Sequence, residues 1–377
     1  MIDAGSIVER QVRVRSGYVD IPARADQPGG ILDPELRLLE RSVGDRLAET
    51  VVEMAAWDAG VAAIGRAADW SGEGTLVPLT VGAAESCAAA AGSWRVCELE
   101  SLGARCVPMV VMRVPYWLGR AGVDWLIQKA FSLLHHGGQL VLVGDRGRGI
   151  ESVTKRAEKM IGRRVDSAIG AHRRLYVHER EVDQVPPIKF EWIQADMLGG
   201  REVVLHRHPT LFSAGRIDPA TRLLAETLPE VGGNWLDLGC GNGALSVVAA
   251  RDDRSVTACD WSYAAIATSQ KTFESNNVQA DAFTSDLVPS AAEPFDVVIC
   301  YPPLHVGPFV DHGPSGRMVR SARNALKPSG ELRIVLTGAH SPAALLKRDF
   351  QHVSQLVSKG GFRVFSCRGP DNKLTRT

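Results

Sequence analysis

The sequence predicts an α/β fold in which two Rossmann-like parallel sheets, one in each half of the chain, are built from strand–helix–strand units. Three observations carry this. Short apolar strands alternate with helical segments throughout both halves. The segment Leu134-His-His-Gly-Gly-Gln-Leu-Val-Leu-Val143 lines up with Leu326-Lys-Pro-Ser-Gly-Glu-Leu-Arg-Ile-Val335, a helix end, a glycine and a strand in each case. Trp235-Leu-Asp-Leu-Gly-Cys-Gly-Asn-Gly-Ala244 reads as a buried strand, a glycine-rich turn and a helix start.

At 377 residues the chain has room for two domains, each with its own core. Residues 1–34 are loop-rich, end in Asp26-Gln-Pro-Gly-Gly30, and form an N-terminal arm or lid. Residues 35–185 make the first α/β domain. A helix is expected over 35–48, strands at Thr50–Met54, Thr75–Val81 and Val107–Val111, a helix over 123–134 and a strand at Gln139–Val143. A connecting hairpin fills 186–208, with strands Lys189–Ile193 and Glu202–His206 about a turn at Gly199-Gly200. Residues 209–377 make the second domain. A helix over 219–228 opens it. Strands then follow at Trp235–Leu238, Ser255–Cys259, Ala280–Thr284, Asp296–Cys300 and Glu331–Leu336. The two halves read as a duplication, or else as two unrelated α/β domains. The match fails at the functional loops. Met54-Ala-Ala-Trp-Asp-Ala-Gly-Val61 stands where the second half has three glycines, and Met112-Arg-Val-Pro-Tyr116 where it has Cys300-Tyr-Pro-Pro-Leu304. The first half therefore keeps the fold without the cofactor site.

Composition narrows the function. A formal net charge of zero gives no global field for nucleic acid or anionic membrane. No apolar run approaches the ~20 residues that span a bilayer. Seven scattered cysteines without CxxC spacing argue for a reduced, cytoplasmic setting and against a metal site. Arg146, Arg148, Lys155, Arg156, Lys159, Arg163, Arg164, Arg173 and Arg174 form a basic stretch suited to RNA phosphates, or a solvated helix face.

Four segments of the second half end on the ligand-binding edge of a parallel sheet. The first is the glycine turn, Gly239, Gly241 and Gly243, with Asp237 to orient it. The second is Asp260, whose carboxylate suits the two ribose hydroxyls of an adenosine, with Trp261 beside it. The third is Asp286, an acceptor for an adenine amino group or a turn residue. The fourth is Tyr301-Pro-Pro-Leu-His305, preceded by Cys300. A dehydrogenase has a different glycine spacing and no use for a Pro-Pro loop.

These motifs resemble the class I S-adenosylmethionine (SAM)-dependent methyltransferases. More specifically, residues 35 to 370 resemble the two-domain ribosomal RNA guanine-N2 methyltransferases of the RsmC type, whose N-terminal methyltransferase-like domain is degenerate. The resemblance implies SAM as cofactor. It also implies that Phe212, Ser213 and Asp218 of Leu211-Phe-Ser-Ala-Gly-Arg-Ile-Asp-Pro219 lie over its methionine part. The family's loop reads Asn-Pro-Pro-Phe-His, where this chain has Tyr301 and Leu304. In the family the asparagine and the carbonyl before the prolines accept from the target amine, and the aromatic stacks on the base. Losing that aromatic forfeits about 1–3 kcal/mol of stacking.

The expected activity is therefore SAM-dependent N-methylation. Tyr301, Pro302 and His305 are the catalytic candidates, and Tyr301, Leu304 and Asp311 face the acceptor. The two altered side chains favour a small guanidino or amino acceptor such as arginine. Guanine N2 of ribosomal RNA is the alternative, and an inactive RNA- or SAM-binding relative a second one.

Overall fold

A computed structural model describes residues 7–14, 17–24, 34–104, 107–184, 187–289, 292–303, 305–306, 309–310, 313–337 and 342–370. The chain divides into two compact units that meet in sequence at Phe190 and Glu191.

In the first unit the segment expected as loop carries a hairpin, β1 (Ile7–Val14) and β2 (Gly17–Arg24). The sheet and its helices follow in order: α1 (Pro34–Val43), β3 (Thr50–Met54), α2 (Gly60–Ala67), β4 (Glu73–Val77), α3 (Val81–Ala90), β5 (Arg95–Val96), β6 (Val107–Arg113), α4 (Gly119–Leu133), β7 (Leu134–Asp145), α5 (Ile150–Met160), β8 (Arg164–Ile169) and β9 (Arg173–Glu179). The strand order is β5-β4-β3-β6-β7-β9-β8. The central strands are buried on both faces, so they read as apolar runs such as Val107–Met112.

The second unit begins with the hairpin β10 (Ile193–Leu198) and β11 (Arg201–His206). It continues through α6 (Pro219–Ala225), β12 (Gly233–Leu238), α7 (Ala244–Ala249), β13 (Arg254–Asp260), α8 (Tyr263–Ser275), β14 (Ala280–Thr284), β15 (Phe295–Cys300), β16 (His305–Val306), β17 (Phe309–Val310), α9 (Gly313–Ala325), β18 (Leu326–Thr337), α10 (Pro342–Leu346), β19 (Phe350–Lys359) and β20 (Phe362–Pro370). Its sheet order is β14-β13-β12-β15-β18-β20-β19, the same path as in the first unit. Within the two seven-stranded sheets the described pairs are parallel except those made by the last two strands of each.

The registers repeat as well. Leu134 pairs with Val107 and Gln139 with Met109 across an irregularity. Leu326 pairs with Phe295 and Glu331 with Val297 across the equivalent one. The fold class is thus two Rossmann-like domains with one topology.

The expected hairpin strand Lys189–Ile193 lies too early. Gly199 and Gly200 both adopt positive φ, 57° and 79°, which is a two-residue turn that pairs Leu198 directly with Arg201. The strand must therefore run up to the turn, from Ile193. The hairpin packs on the second unit. Asn276, just past α8, accepts from Val204 N at 3.0 Å and donates to Val204 O at 2.7 Å, standing in for a neighbouring strand.

Candidate functional site

The carboxyl ends of β12, β13 and β15 lie side by side, with Leu238 opposite both Cys259 and Cys300. The glycine turn springs from the middle strand. Gly239 and Cys240 both donate their amides to Cys259 O, at 2.8 and 3.0 Å, which folds the turn over the neighbouring strand. Gly241 has φ +57° and no atom within 4 Å of where a Cβ would stand, leaving its backbone open to a ligand. Gly243 has φ +79°, and a Cβ there would lie 2.6 Å from the Phe273 ring.

Asp237 is buried and accepts from Ser246 Oγ at 2.6 Å, fastening the strand to α7 on the far side of the turn. Burial pushes its carboxyl up to about 6. Asp260 ends β13. It accepts from Gly241 N and Ser262 N, both at 2.9 Å, so it braces the turn that it faces. Burial raises its pKa against the pull of those amides. A carboxylate has about four acceptor sites, so capacity remains for a hydroxyl donor beside these amides. Trp261 beside it is half-buried.

Asp286, expected as an adenine acceptor, stands 3.2 Å from Arg317 Nη1 on α9. Cys240, Cys259 and Cys300 are buried, and burial raises all three thiols, Cys259 to about 12. They are packing groups with no thiolate character.

The segment before α6 closes over the turn. Ser213, Ala214 and Gly215 take φ of 52°, 51° and 73°, a run of left-handed backbone that costs about 1 kcal/mol or more for each non-glycine residue. Two side chains hold it. Arg207 Nε donates to Ala214 O at 3.2 Å. Asn242 Nδ2 donates to Gly215 O at 2.9 Å and to His206 O at 3.1 Å. Asn242 sits inside the glycine turn, so it joins the two ligand-facing loops. Sequence reading missed it because only the glycines around it have a recognisable spacing.

Phe212 rides on this segment with its side chain 73% exposed. Its ring meets Tyr301 edge to face, centroids 6.0 Å apart at 86°. Asp218 caps α6, accepting from Ala220 N at 2.7 Å, Thr221 N at 3.1 Å and Thr221 Oγ1 at 3.0 Å. Burial, together with the nearby charge of Asp218, pushes the Tyr301 phenol upward, so it stays neutral. Pro302 is buried behind it. His305 opens the short strand β16, while Leu304 and Asp311 lie outside the described residues.

The first unit shows what loss of this site looks like. Met54 pairs with Val77 and Met112 as Leu238 pairs with Cys259 and Cys300. That register sets Glu53 at the Asp237 position, Trp57 at Gly241, Pro78 at Asp260 and Arg113 at Tyr301. Arg113 reaches Asp58 at 2.6 Å and Glu53 at 3.3 Å, all three buried. An ion cluster and an indole fill the place where the second unit has bare backbone.

Part of the basic stretch is committed internally. Arg156 pairs with Asp124 and Arg163 with Glu181, both at 2.5 Å, and Arg173 with Glu35 and Asp145. Among the described residues no cluster of His, Cys, Asp or Glu could hold a metal ion. No helix there is long and apolar enough to cross a membrane.

Comparison with known proteins agrees with this geometry. Residues 202–366 match the family model described as Methyltransferase small domain. The ribosomal RNA small subunit methyltransferase C of Chromohalobacter salexigens is 30% identical over 253 residues, 65% of this chain and 74% of that protein. The same enzyme of Erwinia tasmaniensis is 30% identical over 261 residues, 67% of this chain and 74% of that protein. The structure of the Thermus thermophilus 16S rRNA N2 G1207 methyltransferase (RsmC), solved with AdoMet and guanosine, superposes with a TM-score of 0.81. It shares 26% identity, covering 97% of this chain and 98% of that one.

These relatives overturn the expectation of a small guanidino or amino acceptor. That expectation rested on Tyr301 and Leu304 alone. Two side chains in one loop can alter how an acceptor is held without changing what the whole scaffold accommodates. With a catalytic unit, a degenerate copy and their shared topology all matched, the chain belongs to the ribosomal RNA small subunit methyltransferase C family of class I SAM-dependent methyltransferases.

Proposed function

We propose that this protein methylates the exocyclic N2 of a guanine in small-subunit ribosomal RNA. The observation that carries the reading is the superposition, over 97% of the chain, on a guanine-N2 methyltransferase solved with both AdoMet and guanosine. Bound SAM supplies a sulfonium methyl group for in-line displacement by the amine. The residues present suit it. Gly239, Gly241 and Gly243 give bare backbone, Asp260 offers the ribose a carboxylate, and Asp237 steadies the turn from behind. Trp261 and Asp286 flank the adenosine side, with Cys300 packed beneath. Ser213 and Asp218 stand on the methionine side.

The catalytic work of the chain is orientation. The neutral Tyr301 hydroxyl accepts from one N–H of the target amine, and the carbonyl preceding Pro302 accepts from the other. Together they turn the nitrogen lone pair toward the methyl. The exocyclic amine is uncharged, so no strong base is needed, and its proton leaves to solvent after the N–C bond forms.

The test is labelled SAM with small ribosomal subunits lacking the modification. Label mapping to guanine N2 supports the reading, and label absent from RNA overturns it. Tyr301→Phe is expected to lower kcat about tenfold or more while leaving the affinity for SAM unchanged. Tyr301→Asn is expected to retain or raise activity.

A further inference from the structure

We infer that Phe212 is the stacking wall for the acceptor base in this chain, whose Pro-Pro loop has Leu304 in sequence where the family has an aromatic. The inference rests on the guanine reading above. The ring is 73% exposed on a unit whose other large apolar groups are mostly buried, so packing does not account for it. It is fixed in place nevertheless. Its edge-to-face contact with Tyr301 sets it beside the residue proposed to hold the target amine. The backbone that carries it is left-handed at the next three residues, and Asn242 and Arg207 hold the carbonyls of that turn.

The position fits the chemistry. The methyl is donated at the sulfonium, on the methionine side of the cofactor. A ring between that side and Tyr301 therefore borders the acceptor. Guanine is flat and offers a π face, and an exposed phenyl held rigidly can stack on it at little cost in entropy. Asn242 acts on this wall as a positioning residue, since it ties the carbonyl of Gly215 to the glycine turn.

The experiment compares parent, Phe212→Ala and Phe212→Trp on small ribosomal subunits, with SAM affinity measured separately by calorimetry. Phe212 is exposed, so its substitution leaves the fold intact. Phe212→Ala is expected to lower kcat/KM for RNA about tenfold or more, with SAM affinity within about twofold of the parent. Phe212→Trp is expected to restore most of the loss. Asn242→Ala is expected to lower kcat/KM as well, and the double variant to lose less than the product of the two single losses. A Phe212→Ala enzyme as active as the parent overturns the inference alone. So does one whose loss in kcat/KM is matched by its loss of SAM affinity, which would assign the ring to the cofactor. A parent that leaves RNA unlabelled overturns the guanine reading and this inference with it.

Discussion

Asp260 braces Gly241 and Ser262, and in the proposed function it also offers its carboxylate to the ribose of SAM. Asp260→Ala is expected to abolish the rise in Tm that SAM gives the parent, and a rise that persists would remove Asp260 from the site. Glu53 makes a pH prediction. Arg113 lies closer to Asp58 than to Glu53, and burial, the largest influence, holds the Glu53 carboxyl up at about 7 instead of 4.5. A raised folded-state pKa favours the protonated form. Its contribution to stability is whole below pH 4.5 and fades as pH rises through 7. The Tm of the parent is therefore expected to fall across that window relative to Glu53→Gln, and parallel profiles would refute it. At this scale the sequence was readable where spacing carries the meaning, as in Gly239, Gly241, Gly243 and Asp260. It was opaque at Asn242, whose partners His206 and Gly215 lie far away along the chain and are brought close only by folding.

Among the elements, apolar patterning revealed the buried parallel strands because both their faces are covered. The antiparallel edge strands left no such trace. β19 is exposed along most of its length, so its sequence, Phe350-Gln-His-Val-Ser-Gln-Leu-Val-Ser-Lys359, carries no strong alternation. Helix α1 stops at Val43, short of the expected end, where Gly44 begins a tighter turn. The hairpin depends on an unusual anchor. Asn276 gives it two hydrogen bonds that a strand would otherwise supply. Asn276→Ala is expected to cost about 1–3 kcal/mol and to speed amide exchange within residues 193–206, most of all at Val204. Unchanged exchange would show that apolar packing through Leu198, Val203 and Leu205 suffices on its own.

At the level of the molecule, two copies of one topology carry unequal sites. Pro78 stands where Asp260 does, and Trp57 where Gly241 does, so at these equivalent positions the carboxylate and the bare backbone belong to the second unit. Calorimetry is expected to find one SAM per chain, and Asp260→Ala to remove all of it. Two sites per chain would contradict the register-based equivalence. The duplication itself was legible, since Leu134–Val143 and Leu326–Val335 occupy equivalent places in the two sheets. The acceptor was not. Reading it from Tyr301 and Leu304 overweighted two side chains of one loop, and the meeting of Phe212 with Tyr301 depends on tertiary structure.

The ion cluster of the first unit also sets a cost on rebuilding a ligand site there. Removing Arg113 strands the buried carboxylate of Asp58, and removing Asp58 leaves the buried guanidinium with only the longer Glu53 contact. Each such step costs about 3–5 kcal/mol. Any substitution series that opens a glycine turn there must cross one of those intermediates before a cofactor could bind and compensate. A designed glycine turn in the first unit is therefore expected to lose stability first and to regain it only if a cofactor binds.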